Sequence, residues 1–322
     1  MAIDVVWFKR DLRCRDHAPL LSASLSGRHV LCVFMLETER LKLKDTSEIH
    51  INWELDCAIE LSKNLRKIGS DMHFYIGEAS EILKKINNEY GIKRLLSHQE
   101  TGNSWSYERD KKISKWCQYN EIKWEEYPND GVIRRLKNRD FWKKERDSRM
   151  KIPLNEPPLF KNSILFSGPV PEMKDLGLNN STLTEWPEAG EKAAIKRMNE
   201  FLDIDSKRYS QSISSPILST KHGSRLSPYF TTGVLSMRRV VQRTNEKINY
   251  IKNNKENIDN HSSWIRSLSS FRRRLAWRCH FIQKLEMESN LDLVAQNPLI
   301  EKNMARLLDE DRFERWANGN TG

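Results

Sequence analysis

The sequence predicts an α/β domain with a doubly wound parallel sheet, then a linker, then an all-helical region. Short apolar runs alternate with amphipathic stretches over the first 130 residues, a Pro-rich polar segment follows, and beyond Trp186 only helical periodicity remains. Strand–helix alternation at that spacing calls for parallel strands joined by right-handed crossovers. The expected divisions are 1–130 for the α/β domain, 131–185 for the linker and 186–322 for the helical part.

Val5-Val6-Trp7-Phe8 reads as a first strand and His29 to Met35 as a second. Between 47 and 68, Ile49, Trp53, Leu55, Ile59, Leu61 and Leu65 recur at helical spacing, and Gly69 ends that helix. Met72–Ile76 gives a third strand, Ala79–Ile86 a helix, and Arg94–His98 a fourth strand. A helix from about Tyr107 to Tyr119 then precedes a strand around Trp124–Tyr127. From 130 to 185 the pattern decays around Pro153, Pro157, Pro158, Gly168, Pro169 and Pro171, as in a linker crossing a surface. Helices are expected near 188–203, 233–252, 260–288 and 296–316, and there is no internal repeat.

Hydrophobic residues make up 38% of the 322, and no run reaches the roughly 18 apolar residues of a membrane span. Met1-Ala2-Ile3-Asp4 leads directly into the first strand without a secretory leader, so a soluble cytoplasmic protein is expected. Five widely spaced cysteines with no CxxC pair read as reduced thiols and argue against zinc or an iron–sulfur cluster. The net charge of +10 suits a nucleic-acid partner only weakly, because many basic proteins bind none.

Three strings carry chemistry. Trp7-Phe8-Lys9-Arg10-Asp11-Leu12-Arg13 leads from the first strand into a charged turn ending at Asp16-His17. Gly223-Ser224-Arg225-Leu226-Ser227-Pro228-Tyr229-Phe230 offers two hydroxyls, a guanidinium and a glycine where backbone amides could approach an anion. An ordinary capped turn is the plainer alternative. In Phe271–Phe281, residues Arg274, Trp277, Arg278 and Phe281 share one helical face. That face could stack a base or flavin while neutralising phosphates, or could be a solvated basic stripe around a core tryptophan.

Together these strings resemble the photolyase and cryptochrome flavoproteins, in family order from residue 5 to 322. Phe313–Gly322 resembles a family string that normally runs on into Tyr/Phe-Pro. The resemblance implies an FAD held by Tyr209, Gly223, Ser224, Arg225, Leu226, Ser227 and Phe271. It implies a DNA face at Arg274, Trp277 and Arg278, and DNA bearing UV photoproducts as partner. A light-harvesting antenna of unspecified chemistry in the α/β domain is also implied.

The chain departs from the family pattern in several places. His17 stands where asparagine is usual, and Arg274 where cyclobutane-dimer photolyases present a glutamate. Arg306 replaces an electron-supplying tryptophan, and Asp292 a folate-contacting lysine. The expectation is therefore light-dependent, FAD-based DNA photolyase-type repair by an N-terminal fragment inactive alone and binding FAD weakly or not at all. A separate C-terminal fragment would complete it. A cryptochrome-like photoreceptor and an inert product of a split gene are the alternatives.

Overall fold

The computed structural model describes residues 2–166, 168–179, 186–303 and 309–321. Strands β1 (Ile3–Phe8), β2 (Val30–Leu36), β3 (Met72–Ile76), β4 (Ile92–His98) and β5 (Lys123–Tyr127) form one parallel sheet in the order β3-β2-β1-β4-β5. Val6 pairs with Cys32 on one side and Leu96 on the other. All six residues of β1 are buried, as a strand covered on both faces requires. The chain reverses its order between β1 and β4. The crevice outside the carboxyl ends of those strands is thus a topological switch point, where sheets of this kind bind ligands.

Alternation along the strands divides the core. Ile3, Val5 and Trp7 pack with α3 (Ala79–Tyr90) and α4 (Ser104–Tyr119). Val6 and Phe8 pack with α1 (Ala18–Ser24) and α2 (Glu48–Lys67). Helix α2 ends as its sequence predicts: Gly69 has φ +81°, and a Cβ there would meet the Phe160 carbonyl oxygen at 2.6 Å. Helix α4 begins earlier than periodicity indicates, at Ser104, because the Asn103 side chain accepts from the Ser106 amide at 3.1 Å.

The segment after β5 holds more structure than its composition suggests. Helix α5 (Trp142–Lys151) buries Arg146 and Met150, and Ser163 bridges Val30 beyond the start of β3. Then come α6 (Glu191–Asp203), α7 (Tyr209–Ser212), α8 (Pro216–His222), α9 (Ser227–Thr231), α10 (Met237–Asn253) and α11 (His261–Met287). Helix α10 starts after Gly233 because the Ser236 hydroxyl caps it, accepting from the Arg239 amide at 3.1 Å. The expected helix at 296–316 is instead α12 (Pro298–Asn303) and α13 (Glu310–Ala317); Arg306 lies outside the described residues.

Phe201, Tyr209, Tyr229, Leu268 and Phe271 from this helical part join the core on the α2 face of the sheet. All five cysteines are buried and free. No described helix is long and apolar enough to cross a membrane.

Candidate functional site

A cavity of about 420 Å³ opens at the switch point, lined from β1 by Trp7, Phe8 and Lys9 and from α2 by Trp53 and Glu54. Trp105 and Arg109 of α4 and Ser227, Thr231 and Thr232 of the helical part complete it. Its walls are aromatic and its charges are mostly paired. Arg109 donates to Glu37 at 2.7 Å and to Glu100 at 2.5 Å, and its guanidinium lies 4.9 Å from the centre of the Trp7 ring and 5.3 Å from that of Trp105. Burial alone would raise the Glu100 carboxyl, but Arg109, Lys9 and Arg10 outweigh it and hold the group well below the usual carboxylate range. Arg40 forks onto Glu54 at 3.0 and 2.5 Å. Among the described residues, one fully buried side-chain polar atom of the wall has no hydrogen-bond partner: the indole N–H of Trp53, a residue 4% exposed. Such a buried donor is costly when left unsatisfied, and it suits a ligand that presents an acceptor.

Below the crevice, Asp11 accepts from His17 Nε2 at 3.0 Å, from His98 Nδ1 at 2.7 Å and from the Lys9 amide at 2.8 Å. His17 Nδ1 takes the Leu20 amide at 3.1 Å, so His17 caps α1 as an asparagine would. That bond leaves the proton on Nε2. Although the three side chains stand close enough to share a cation, the arrangement is a hydrogen-bond chain centred on one carboxylate. Burial, with His17 beside it, pushes His98 down to about 4. Burial would raise Asp11, but the two imidazoles overcome it and keep the group ionised.

The residues singled out in the helical part lie in two places. Tyr209 and Phe271 are buried, edge-to-face with each other at 5.6 Å and with Phe201 at 5.6 and 4.6 Å. Residues 223–227 run on the surface from the end of α8 into α9. Arg197 holds their backbone through the Ser224 and Gly223 carbonyls at 3.0 and 3.2 Å. Gly223 has an ordinary φ of −74°. It is glycine because a Cβ there would meet the Ser219 carbonyl at 2.5 Å, not because it opens amides to an anion. Leu226 is buried. Arg225, at φ +55°, turns its guanidinium to the Thr220 carbonyl. No hydrogen bond engages the side-chain hydroxyls of Ser224 and Ser227 among the described residues, which fits them to receive phosphate oxygens.

On α11 the expected face is divided. Arg274 is exposed, its guanidinium 4.7 Å from the centre of the Trp277 ring; Trp277 is 53% and Phe281 62% exposed. Trp277 is therefore not a core residue. Arg278 departs from the DNA-facing expectation: it donates to Asp130 at 2.5 Å and to the Phe230 carbonyl at 3.1 Å. Asp292, noted from the sequence, accepts from the amide and hydroxyl of Ser104, both at 2.7 Å, at the start of α4. Sequence reasoning gave no role to Arg109, Glu100 or the Trp53 donor, because the Arg109–Glu37 pair spans 72 residues and an unpartnered N–H leaves no sequence signal. The only local signal was a Trp-and-charge-rich stretch from His98 to Asp110.

The profile of the DNA photolyase family matches residues 4–135. The tomato protein named cryptochrome DASH, chloroplastic/mitochondrial is 22% identical over 366 residues, covering 99% of this chain and 60% of that one. The chain thus spans less than two thirds of that relative. Among solved structures, a Synechocystis cryptochrome superposes with TM-score 0.82 at 19% identity, over 100% of this chain and 69% of that one. An archaeal photolyase from Sulfolobus tokodaii, described with two FAD molecules that imply a novel light-harvesting cofactor, superposes with TM-score 0.73 at 21% identity, over 99% of this chain and 68% of that one.

Proposed function

We propose that this chain, whose residues 4–135 match the DNA photolyase family, is part of a light-dependent, FAD-based enzyme acting on pyrimidine photoproducts in DNA. The observation that carries the reading is the exposed Arg274–Trp277 pair on α11, with the guanidinium 4.7 Å from the centre of the ring. An aromatic face left in solvent beneath a guanidinium is suited to stack an unpaired base while meeting the adjacent phosphate charge.

FAD, when bound, supplies light absorption and electron transfer. Ser224, Ser227 and Arg225 would meet its diphosphate, with Gly223 and Leu226 fixing their backbone, while Tyr209 and Phe271 form the packed wall behind. These residues offer one side of a cofactor site, so weak FAD binding by these 322 residues is expected. Arg274 donates hydrogen bonds and cannot accept them. It therefore favours a photoproduct other than the cyclobutane dimer, whose base N–H groups call for an acceptor. The cavity at the switch point is suited to a second, planar chromophore, with the Trp53 N–H as its unsatisfied donor.

The experiment is repair of an oligonucleotide carrying each defined photoproduct, in blue light with added FAD and reductant, followed by chromatography of the restored bases. Light-dependent restoration supports the reading. Absence of both restoration and any preference for damaged over intact DNA refutes it. Light-induced flavin absorbance changes without that preference would favour the photoreceptor alternative.

A further inference from the structure

Residues 134–151 contain nine Lys and Arg against three Asp and Glu, a net charge of +6 within a chain whose total is +10. Some of these cations are used internally. Arg134 meets Glu126 at 3.2 Å, Arg146 is buried in α5, and Arg149 donates to the Val132 carbonyl at 2.5 Å. Arg135, Lys137, Lys143, Lys144 and Lys151 are exposed and form no ion pair among the described residues. Phe141, in their midst, is 64% exposed.

The segment is docked along α11. Asp130 meets Arg278, Gln283 exchanges bonds with both backbone groups of Ile133 at 2.7 and 3.0 Å, and Arg139 reaches the His280 ring at 3.0 Å. Trp142 stands edge-to-face on His280 at 5.6 Å, and His280 in turn on Phe281 at 5.6 Å. Through His280, the unpaired cations of residues 135–144 become continuous with the exposed face that carries Phe281, Trp277 and Arg274.

We propose that Arg135, Lys137, Lys143 and Lys144 form a second nucleic-acid surface, a track for the phosphate backbone of duplex DNA flanking the base-stacking face of α11. The proposal rests on the functional reading above, and charge complementarity selects the partner. Four unpaired cations beside exposed aromatic rings suit a polyanion whose charges repeat at short intervals, and counterion release then drives binding. The contacts of Asp130, Ile133, Arg139 and Trp142 with α11 hold this segment in place beside the helix.

The test is the salt dependence of binding to a fluorescent duplex of defined sequence, comparing the unsubstituted chain with a Lys137→Gln/Lys143→Gln/Lys144→Gln variant and an Arg274→Ala variant. Each phosphate left without its cation should flatten the log–log slope by about 0.9, so the triple variant should bind with a slope shallower by roughly two to three units and an unchanged melting temperature. An unchanged slope in the triple variant, with affinity reduced in Arg274→Ala, overturns this proposal alone. No affinity for DNA in the unsubstituted chain overturns it together with the functional reading.

Discussion

Arg278 and Asp130 pair at 2.5 Å and so bind the long helix α11 to the loop that leaves the last strand of the sheet. The two side chains are 30% and 17% exposed, which places the pair between surface and core. Arg278→Ala should therefore cost about 1–2 kcal/mol, because it leaves Asp130 and the Phe230 carbonyl without their donor. The same variant should leave the salt slope of DNA binding unchanged. A thermal melt and a salt titration check the two halves, and a flattened slope with no loss of stability would return Arg278 to the DNA face.

The chain around Asp11 sets an acid limit on the fold. His98 titrates at about 4 in the folded protein against an ordinary value near 6.5, because burial and the neighbouring His17 disfavour its charged form. Between those values the unfolded chain binds a proton that the folded one refuses. Stability is then intact above about pH 6.5 and falls as pH drops toward 4, by up to about 3 kcal/mol from this residue. Denaturant melts at pH 7.5, 5.5 and 4.5 should show the decline, and His98→Asn should flatten it. A His98→Asn variant with an undiminished decline would shift the cause to other groups.

Gly233 joins the helical part to the loop after β1. Its φ is +69°, and a Cβ would meet the Arg10 carbonyl oxygen at 2.0 Å. Gly177 has the same φ, with nothing within 4 Å of its would-be Cβ. Alanine at 177 should cost only the left-handed conformation, about 1 kcal/mol. Alanine at 233 must also displace backbone, so a loss of about 3 kcal/mol or more is expected. Equal melting temperatures for the two variants would mean that the junction yields.

The sheet was legible because its signals are local. Val5–Phe8 and Val30–Met35 are continuous apolar runs, and the Trp53–Leu65 stripe and Gly69 mark one helix and its end. Helix α5 was not, because it buries only Arg146 and Met150 amid charges and shows no clear apolar stripe. The site was legible in the same uneven way. Spacing alone put Arg274, Trp277 and Arg278 on one face, but spacing carries no information about Asp130, nearly 150 residues earlier. The Asp11–His98 pair spans 87 residues, and the Lys9–Asp110 pair 101. Pairings of that range arise from strand order, which the sequence implies only as a class.

Trp53 gives a prediction in which stability and binding move in opposite directions. Phenylalanine keeps the ring and removes a buried, unpartnered N–H, so Trp53→Phe should leave the melting temperature unchanged or raise it slightly. If the N–H is the donor for a planar chromophore, the affinity for FMN, used as a probe, should fall about 5- to 10-fold. Fluorescence anisotropy of FMN measures it. Equal affinity in both proteins would remove Trp53 from the chromophore site.

Trp277 separates stacking from packing. Its ring is 53% exposed with the Arg274 guanidinium 4.7 Å from its centre, so Trp277→Ala removes little that the folded chain buries. Its melting temperature should stay close to that of the unsubstituted chain, within the roughly 0.5 kcal/mol typical of surface changes. A core tryptophan would instead cost about 3–5 kcal/mol. Binding to single-stranded or photoproduct-bearing DNA should weaken by about 1–3 kcal/mol, the worth of one base stacked on an aromatic ring. Binding to intact duplex should change little, because its bases remain paired and the cations that meet its phosphates are untouched. The measurement is a pair of anisotropy titrations, damaged against intact duplex, at one fixed salt concentration. If Trp277→Ala weakens both to the same degree, the ring serves general affinity and does not read an unstacked base. If it weakens neither while Arg274→Ala weakens both, α11 meets DNA through charge alone.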